Sequence, residues 1–470
     1  MAERPGLIRQ FDAGSMVAAL ILLVIISLGP IYFGSVLPRE RIALQTASFL
    51  ALAAVVAGSR PLSWLKIAKI PTLALAAVGM IGLLQSLAWP RFLVGLISSR
   101  LIDLWDRASV LTGSAMESVP LSLAPAVSRS TGIHWLALAA CVAAASAVGS
   151  ERLLRRVLSL SLAGGAVFQI VFGSDNWFAQ RSSLFGLQVG GDPTRLRGTF
   201  VNPDHLALFL ILVTTLSFSW LWWSARRIQR QATVETRLLY AVLPCLLFLM
   251  LFVGLAFTGS RGGLVAVVLA IASQILMLAI HYRRWQVGLL YSGVLGLGLI
   301  GIVIFGLQKG LGRWLDTSAY DLALNARPVV YAASWELWQR FPWTGTGLGT
   351  FRQAFPLVQP VEIEKTWIHA HSDVLELMVT TGILGLPLMA WGLVALTRRL
   401  WEVFQRGYRS EDRAAGLGAL GAIVGAVLHS LIDFGLTMPA NAFTLAIICG
   451  LACGTATRPR SQPRTRPANS

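Results

Sequence analysis

The stretch LLYAVLPCLLFLMLFVGLAFTGSRGGLVAVVLAIASQILMLAI, Leu238 to Ile280, decides the fold class. It holds two apolar runs, each close to the ~20 residues a helix needs to cross a bilayer. They are joined by the short turn TGSRGG, Thr258 to Gly263. A turn this short holds Arg261 at membrane depth or just above it, where a charge is costly and usually functional. The bland alternative is an arginine snorkelling to a headgroup phosphate. Gly262 and Gly263 let the backbone come close to a ligand. Ser260 is placed to cap the second helix, whose N-terminal end adds to the positive field.

The same texture extends over the whole chain. Of 470 residues, 55% are hydrophobic and only 13% charged, and the mean hydropathy is +0.66. A soluble protein of this length carries about a quarter charged residues. Long apolar runs separated by short basic clusters predict an all-α polytopic membrane protein, and no ten-residue alternation points to a barrel. The net charge of +17 is spread over many short loops with no domain-sized patch, which excludes a nucleic-acid partner. Cys141, Cys245, Cys449 and Cys453 all fall inside apolar runs, so there is no disulfide framework or cysteine metal cage. The apolar run after the basic N-terminus is too long for a cleaved signal, so an uncleaved first span is expected.

Read in order, the hydropathy predicts about 12 transmembrane helices, at 15–36, 42–58, 70–88, 133–149, 157–173, 205–223, 238–257, 263–281, 286–306, 374–396, 415–435 and 437–455. With the N-terminus inside, one set of loops holds most of the 39 basic residues and a minority of the 22 acidic ones. Both termini are then cytoplasmic. The chain reads as a single integral membrane domain, 1–470, with a disordered basic cytoplasmic tail at 456–470. Three outer loops are long: Ala88 to Gly132, where SRLIDLWDRASVL suits an amphipathic helix in the interface, Gly173 to Asp204, and Leu307 to Ser372. The last, at 307–372 between the ninth and tenth helices, is the largest and partly helical.

Four outer-side clusters could carry chemistry. RLRGTFVNPDHLALF places Arg195, Arg197, Asn202, Asp204 and His205 at the start of the sixth span. Capping accounts for Asn202 or Asp204, whereas Arg197 has no structural excuse. TGSRGG supplies Arg261. NARPVVYAASWELWQRFPWTGTGLGTFRQAFP puts Pro328 at a position suited to the first turn of a helix. Arg327 stands at the N-terminal end of that helix, and Tyr331, Trp335 and Trp338 form an aromatic face for packing or for sugar stacking. GTGLGTF, Gly345 to Phe351, resembles a phosphate-cradling loop but has no lysine or preceding strand.

The fourth cluster is WIHAHSDVLELMVTTGILG, Trp367 to Gly385. Asp373 and Glu376 have capping-box spacing, which predicts a helix starting at Asp373. His371 then sits just before a helix N-terminus, where the dipole favours anions and disfavours imidazolium. It is either an interfacial anchor or a neutral general base. Gly382 and Gly385 permit close packing beneath it, and Pro387 can kink the span. Farther on, HSLIDFGLTMPANAF places His429 and Asp433 one turn apart, a hydrogen-bonded pair with a supporting role.

No DxD, HExxH, Walker A or GxSxG motif is present, and Glu362 and Glu364 have no histidine at ligand spacing. The sequence therefore predicts no metal and no cofactor. Outer arginines and histidines against few carboxylates suggest an anionic substrate held by guanidinium groups.

Taken together these motifs resemble the O-antigen ligase/polymerase superfamily of bacterial membrane glycosyltransferases. His371, Ser372, nine residues from Asp373 to Thr381, Gly382, Ile383, Leu384 and Gly385 match the ligase signature in full. GTFVNPDH, TGSRGG, RPVVY, GTGLGTF and HSLIDFGLTMPAN resemble further landmarks, so the likeness runs from about Arg195 to Gly454. The resemblance implies a GT-C-like multi-pass protein of the bacterial inner membrane with a periplasmic active site. It implies an inverting, metal-independent transfer of a glycan from an undecaprenyl pyrophosphate donor, as in lipopolysaccharide biosynthesis. The acceptor is a lipid A–core sugar in ligases and another lipid-linked repeat in O-antigen or exopolysaccharide polymerases. The family's catalytic histidine falls on His371, and its pyrophosphate-binding arginines on Arg261 and Arg327. His369 is a second candidate base. Arg197, His369 and Tyr331 join the expected substrate-binding set, with Ser372, Asn202, His205, His429, Asp433, Gly382 and Gly385 in support. A lipid-linked glycan transporter is the rival class. It predicts charges lining a path across the bilayer, whereas Glu376 and Asp433 are nearly the only ionisable span residues besides histidine.

Overall fold

The computed structural model describes residues 12–58, 67–113, 116–181, 183–188, 194–231, 233–283, 285–306, 322–361, 363 and 367–458. The first part of the large loop, Glu362, Glu364 and the tail beyond 458 lie outside the described residues, so the expectations placed on them are not addressed by it.

The described chain is almost wholly helical. Helix α1 (Ala13–Leu28), α2 (Pro38–Ala57) and α3 (Lys69–Gln85) come first. A two-stranded antiparallel ribbon, β1 (Ala88–Pro90) and β2 (Ser118–Pro120), then brackets α4 (Arg91–Ile97) and α5 (Ser99–Thr112). Helices α6 (Pro125–Gly149) and α7 (Arg152–Phe178) lead to a second small ribbon, β3 (Ser183–Leu184) with β4 (Leu187–Gln188). After it run α8 (Pro203–Ala225), α9 (Val234–Phe257), α10 (Arg261–Tyr282) and α11 (Trp285–Gly306). The chain ends with α12 (Leu322–Arg340), the short α13 (Phe351–Ala354), α14 (Asp373–Thr381), α15 (Gly385–Arg406), α16 (Ser410–Ser430) and α17 (Pro439–Cys453).

Each predicted span overlaps helix. Among the described residues, eight helical segments are long and apolar enough to cross a membrane, and shorter apolar helices at Ala13–Leu28, Lys69–Gln85, Tyr291–Ile300 and Pro439–Cys453 coincide with the other four predicted spans. Helix α8 is the axis of the bundle. It packs against α9, α10 and α16, and nearly all of its side chains are buried, from His205 to Trp222. Small residues set the closest approaches, as helix association in lipid requires. A Cβ on Gly418 of α16 would come within 2.7 Å of Leu216.

A second apolar core forms outside the bundle. Val94, Leu101, Val119, Val330, Leu337, Phe341, Phe351 and Phe355 pack together and meet Val379 of α14. The elements α4, α5, α12 and α13 thus make a cap over one end of the bundle. Its amphipathic helix is α5, which falls on the predicted SRLIDLWDRASVL segment.

The tenth predicted span, 374–396, is two helices. Helix α14 stops at Thr381, a short 3-10 turn covers Gly382–Leu384, and α15 begins at Gly385. The sequence reading placed a kink at Pro387, but the break belongs to Gly382, whose φ of 63° and ψ of −150° only glycine adopts readily. A stopped helix leaves carbonyls without donors, which lipid cannot satisfy. Here the glycine loop satisfies them. The amide of Thr346 donates to the Val379 carbonyl (3.1 Å) and that of Gly347 to Thr380 (3.1 Å). Gln85 of α3 holds loop and break together, donating to the Thr344 carbonyl (2.6 Å) and the Thr380 carbonyl (3.1 Å) and accepting from the Leu348 amide (2.8 Å). GTGLGTF therefore lies close against protein backbone, and its glycines serve the helix end.

A Cβ at position 382 would lie 2.4 Å from the Trp343 carbonyl oxygen, whereas one at Gly164 of α7 meets nothing within 4 Å. Gly382→Ala is expected to cost about 1–3 kcal/mol in backbone strain alone and to lower the thermal midpoint of the detergent-purified protein. Gly164→Ala should leave that midpoint unchanged or raise it slightly. Equal midpoints for the two variants would contradict the assignment of the break to Gly382.

Candidate active site

Helix α14 presents its N-terminus to the boundary between bundle and cap. Its cap is Ser372, whose hydroxyl accepts from the Leu375 amide (3.3 Å), in place of the Asp-led capping box the spacing suggested. That frees both acids for other work. Asp373 accepts from the Ser430 hydroxyl (2.9 Å) and the Leu436 amide (3.0 Å), while its own amide donates to the Asp433 carbonyl (3.1 Å). The Ser372 hydroxyl also donates to the Ser430 carbonyl (3.2 Å). Glu376 turns back along the chain, accepting from the Ala370 amide (3.1 Å) and standing 3.2 Å from His369 Nδ1.

His371 sits at the pivot with φ at 51°. A non-glycine residue in the left-handed region costs about 1–2 kcal/mol and persists where its surroundings over-determine it. They do so here. Tyr331 of α12 donates its hydroxyl to the His371 carbonyl (2.8 Å), and the flanking Ser372 and Asp373 are locked onto the turn between α16 and α17. The ring lies 5.2 Å from Trp367 and edge-on to Phe434 at 4.8 Å, centroid to centroid. Its Nδ1 is buried without a hydrogen-bond partner, and Asp433 Oδ1 is 3.9 Å away.

Phe434 organises three histidines. His369 stacks on one face at 4.3 Å, and His371 and His205 approach edge-on at 4.8 and 4.9 Å. Asp433, beside it, stands between His371 and His429, whose Nε2 is 3.8 Å from Oδ2. The predicted His429–Asp433 hydrogen bond is therefore not formed, because α16 ends at Ser430 and Asp433 lies beyond it. Asn441 ties the turn to α8, donating to the carbonyls of His205 (3.0 Å) and Gly435 (3.0 Å).

The two histidines of the HAHS sequence are driven apart electrostatically. Burial, then the positive charge of Arg327, pushes His371 down to about 4. His369 is likewise desolvated, but the hydrogen bond and charge of Glu376 outweigh this and raise it above its ordinary value. His371 is therefore neutral at neutral pH, and His369 is favoured as imidazolium.

The arginines come from three elements. Arg261 is the first residue of α10, behind the Ser260 cap. The next residue, Gly262, is so close to the α16–α17 turn that a Cβ there would meet Ile432 at 2.3 Å. Arg327 of α12 donates to the carbonyl of the same Ile432 (3.1 Å), so both arginines border the turn that carries Asp433. Pro328 lies inside α12, which starts at Leu322, and is not in its first turn. Asn202 caps α8 by accepting from the Asp204 amide (2.9 Å). Arg197 is only 3% exposed and donates to the Arg181 carbonyl (3.2 Å), a structural partner that its sequence context did not reveal. Arg195 instead joins the site's edge, bonding the Thr258 carbonyl (2.6 Å) and pairing with Asp204 (2.7 Å). Among the described residues no group of three or more His, Cys, Asp or Glu side chains is arranged to hold a metal ion.

Sequence reasoning missed Phe434 and Glu376 as the partner of His369, and it named Arg195 without giving it a role. Glu376 carried a signal, being the one acid of the helix able to reach back past its N-terminus. Phe434 carried none beyond adjacency to Asp433.

A polytopic helical membrane protein whose cap and bundle enclose a histidine- and arginine-lined polar site is the class these features define. Residues 245–390 match the family model described as O-antigen ligase. That match supports the O-antigen ligase/polymerase superfamily and, with it, a membrane enzyme of the glycosyltransferase kind. It spans Arg261, Arg327, His369, His371, Gly382 and Gly385 and stops short of Asp433. No curated protein matches the chain significantly.

Histidine-labelled protein should show the split directly by NMR. The His371 ring, assigned through a His371→Gln spectrum, is expected to titrate far below 6.5, near 4, and His369 above 6.5. A His371 midpoint at or above the ordinary value would remove the physical distinction between the two rings.

Proposed function

We propose that the protein transfers a glycan from undecaprenyl pyrophosphate to an acceptor hydroxyl, in the manner of an O-antigen ligase, with His371 as general base. The observation that carries this reading is the His371 ring itself: held in a left-handed backbone conformation at a helix N-terminus, 3.9 Å from Asp433 and within the field of Arg327, which with burial lowers its pKa. The acceptor oxygen attacks the anomeric carbon from the face opposite the diphosphate, and the carbon–oxygen bond to the diphosphate breaks. The hydroxyl proton passes to His371 Nε2, and undecaprenyl pyrophosphate leaves with the bonding electrons. The anomeric configuration inverts.

Arg261 and Arg327 neutralise the charge growing on the leaving group, as preorganised cations do elsewhere without a metal. Asp433 faces Nδ1, so that a shift of about 1 Å brings it to hydrogen-bond distance and fixes the ring's tautomer. A base with a pKa near 4 is weak, but a bound diphosphate offsets the field of Arg327 and raises it toward the working pH. His369, charged through Glu376, is an anion partner in this scheme and not the base. Tyr331 acts by fixing the His371 backbone, and its hydroxyl is committed to that bond.

The chain is proposed to cross the bacterial inner membrane twelve times with both termini cytoplasmic. The loop at 307–372 and the site then lie on the periplasmic face. Lipid A–core is the acceptor favoured by the full ligase signature.

His371→Ala should lower the transfer rate by about 10²–10⁴-fold, the usual worth of a general base, with lipid-linked donor and acceptor in detergent. His369→Gln should raise the donor KM and leave kcat within about tenfold. Near wild-type turnover by His371→Ala would sink the mechanism, as would activity abolished by EDTA and restored by Mg²⁺. In cells, loss of the gene should leave long glycan chains unattached to the lipid core; single repeats capping the core would instead mean a polymerase.

A further inference from the structure

The opposite end of the bundle holds a cavity that the glycan chemistry does not use. It has a volume of about 390 Å³ and is lined by Arg226, Arg227, Arg230, Arg409, Arg413 and Arg458, together with Trp222, Tyr282, Tyr408 and Ser410. That size is within the range of small-molecule sites. The residues converge from the C-terminal ends of α8 and α10, the α15–α16 turn and the segment after α17.

No carboxylate is among these lining residues. The nearby acids of the α16 first turn are engaged elsewhere. Glu411 pairs with Arg152 (2.7 Å) and Arg156, and Asp412 with Arg155 (2.5 Å), all on α7. Four of the arginines are instead held by rings and carbonyls that leave their charge uncompensated. Arg226 lies over Tyr282 at 5.0 Å and over Trp222 at 5.8 Å, and Arg227 lies over Trp223 at 5.1 Å. Arg413 donates to the Gly407 carbonyl (3.1 Å) and Arg458 to that of Tyr408 (3.3 Å). The Arg227 Nε is buried with no hydrogen-bond partner. The N-terminus of α16, a 21-residue helix, opens at Ser410 on the same space and adds positive field.

Basic loops alone satisfy topology, and they do so spread apart in water. Six arginines line this one cavity, Arg227 and Arg413 half-buried and the other four exposed at its mouth, and their like charges repel one another unless an anion sits among them. We infer that this cavity binds a phosphate-bearing anion, with guanidinium forks as its recognition elements. Two sources share that chemistry: the headgroup of an anionic phospholipid in the adjoining leaflet, and a free phosphate or pyrophosphate.

The test uses full-length protein in phosphatidylcholine nanodiscs. One arm adds phosphatidylglycerol and follows its retention by native mass spectrometry; the other titrates inorganic phosphate and pyrophosphate into neutral discs. Wild type is expected to bind in at least one arm, and that arm identifies the source. Arg226→Gln/Arg409→Gln/Arg413→Gln should bind roughly 100-fold more weakly, at about fivefold per arginine. Its unfolding midpoint in neutral discs reports whether it is folded. If it is not, Arg227→Gln/Arg230→Gln reads the same loss, at roughly 30-fold. No binding by wild type in either arm, or equal binding by folded variants, overturns the inference.

Discussion

A helix of nine residues that begins and ends inside the protein is the constraint on which this structure turns. Helix α14 leaves unpaired amides at one end and unpaired carbonyls at the other, where the surroundings offer little water. The C-terminal end is answered by the amides of Thr346 and Gly347 and by Gln85, which draws the glycine loop and α3 onto the break. The N-terminal end is answered by Ser372, and its flanks are fixed to Ser430, Asp433 and Leu436. Pinned at both ends, α14 has no freedom left to relax His371 out of its left-handed conformation. The strain at the site and the packing of the glycine loop are therefore two consequences of one broken helix.

This explains why the site is assembled from distant pieces of sequence. Phe434, Asp433 and Ile432 belong to the turn after α16, and each meets a different part of the chain: the histidines, the Asp373 amide and the Arg327 guanidinium. A turn that receives so many partners acts as a hub. Substituting Asn441, which ties this turn to α8, would disturb the site without touching substrate.

Much of this was legible in the residues. The spans announced themselves through hydropathy, because a bilayer filters sequence more harshly than water does. Ser260, Asn202 and Ser372 are all good capping residues, but only the first two were read as caps; at the third, the Asp373–Glu376 spacing matched the capping box and hid the cap one residue earlier. Glu376 was misread for the same reason, since a carboxylate four residues into a helix can serve the backbone or a side chain before it. The break at Gly382 was read as close packing and a proline kink, because φ at a glycine is not encoded by its neighbours. Arg197 and Arg195 differ by one turn of loop, and only tertiary contact assigns one to the Arg181 carbonyl and the other to Asp204.

The two charged ends of the bundle are joined by the same three helices. Helices α8, α10 and α16 carry His205, Arg261 and His429 at one end, and Trp222, Tyr282 and Arg413 at the other. Each is about 30 Å long at 1.5 Å per residue, so the two clusters are too far apart to feel one another through screened electrostatics. Any influence of one end on the other has to travel as a rigid shift of packed helices. The interior suits such transmission: Gly418 and Gly421 on α16 bring that helix against Leu216 and Gln274, and Gln274 bridges the Thr215 and Leu417 carbonyls (3.0 Å each). That bridge ties α8, α10 and α16 together in mid-bundle, so the frame that holds the histidines at one end is continuous with the helices that carry the arginines at the other.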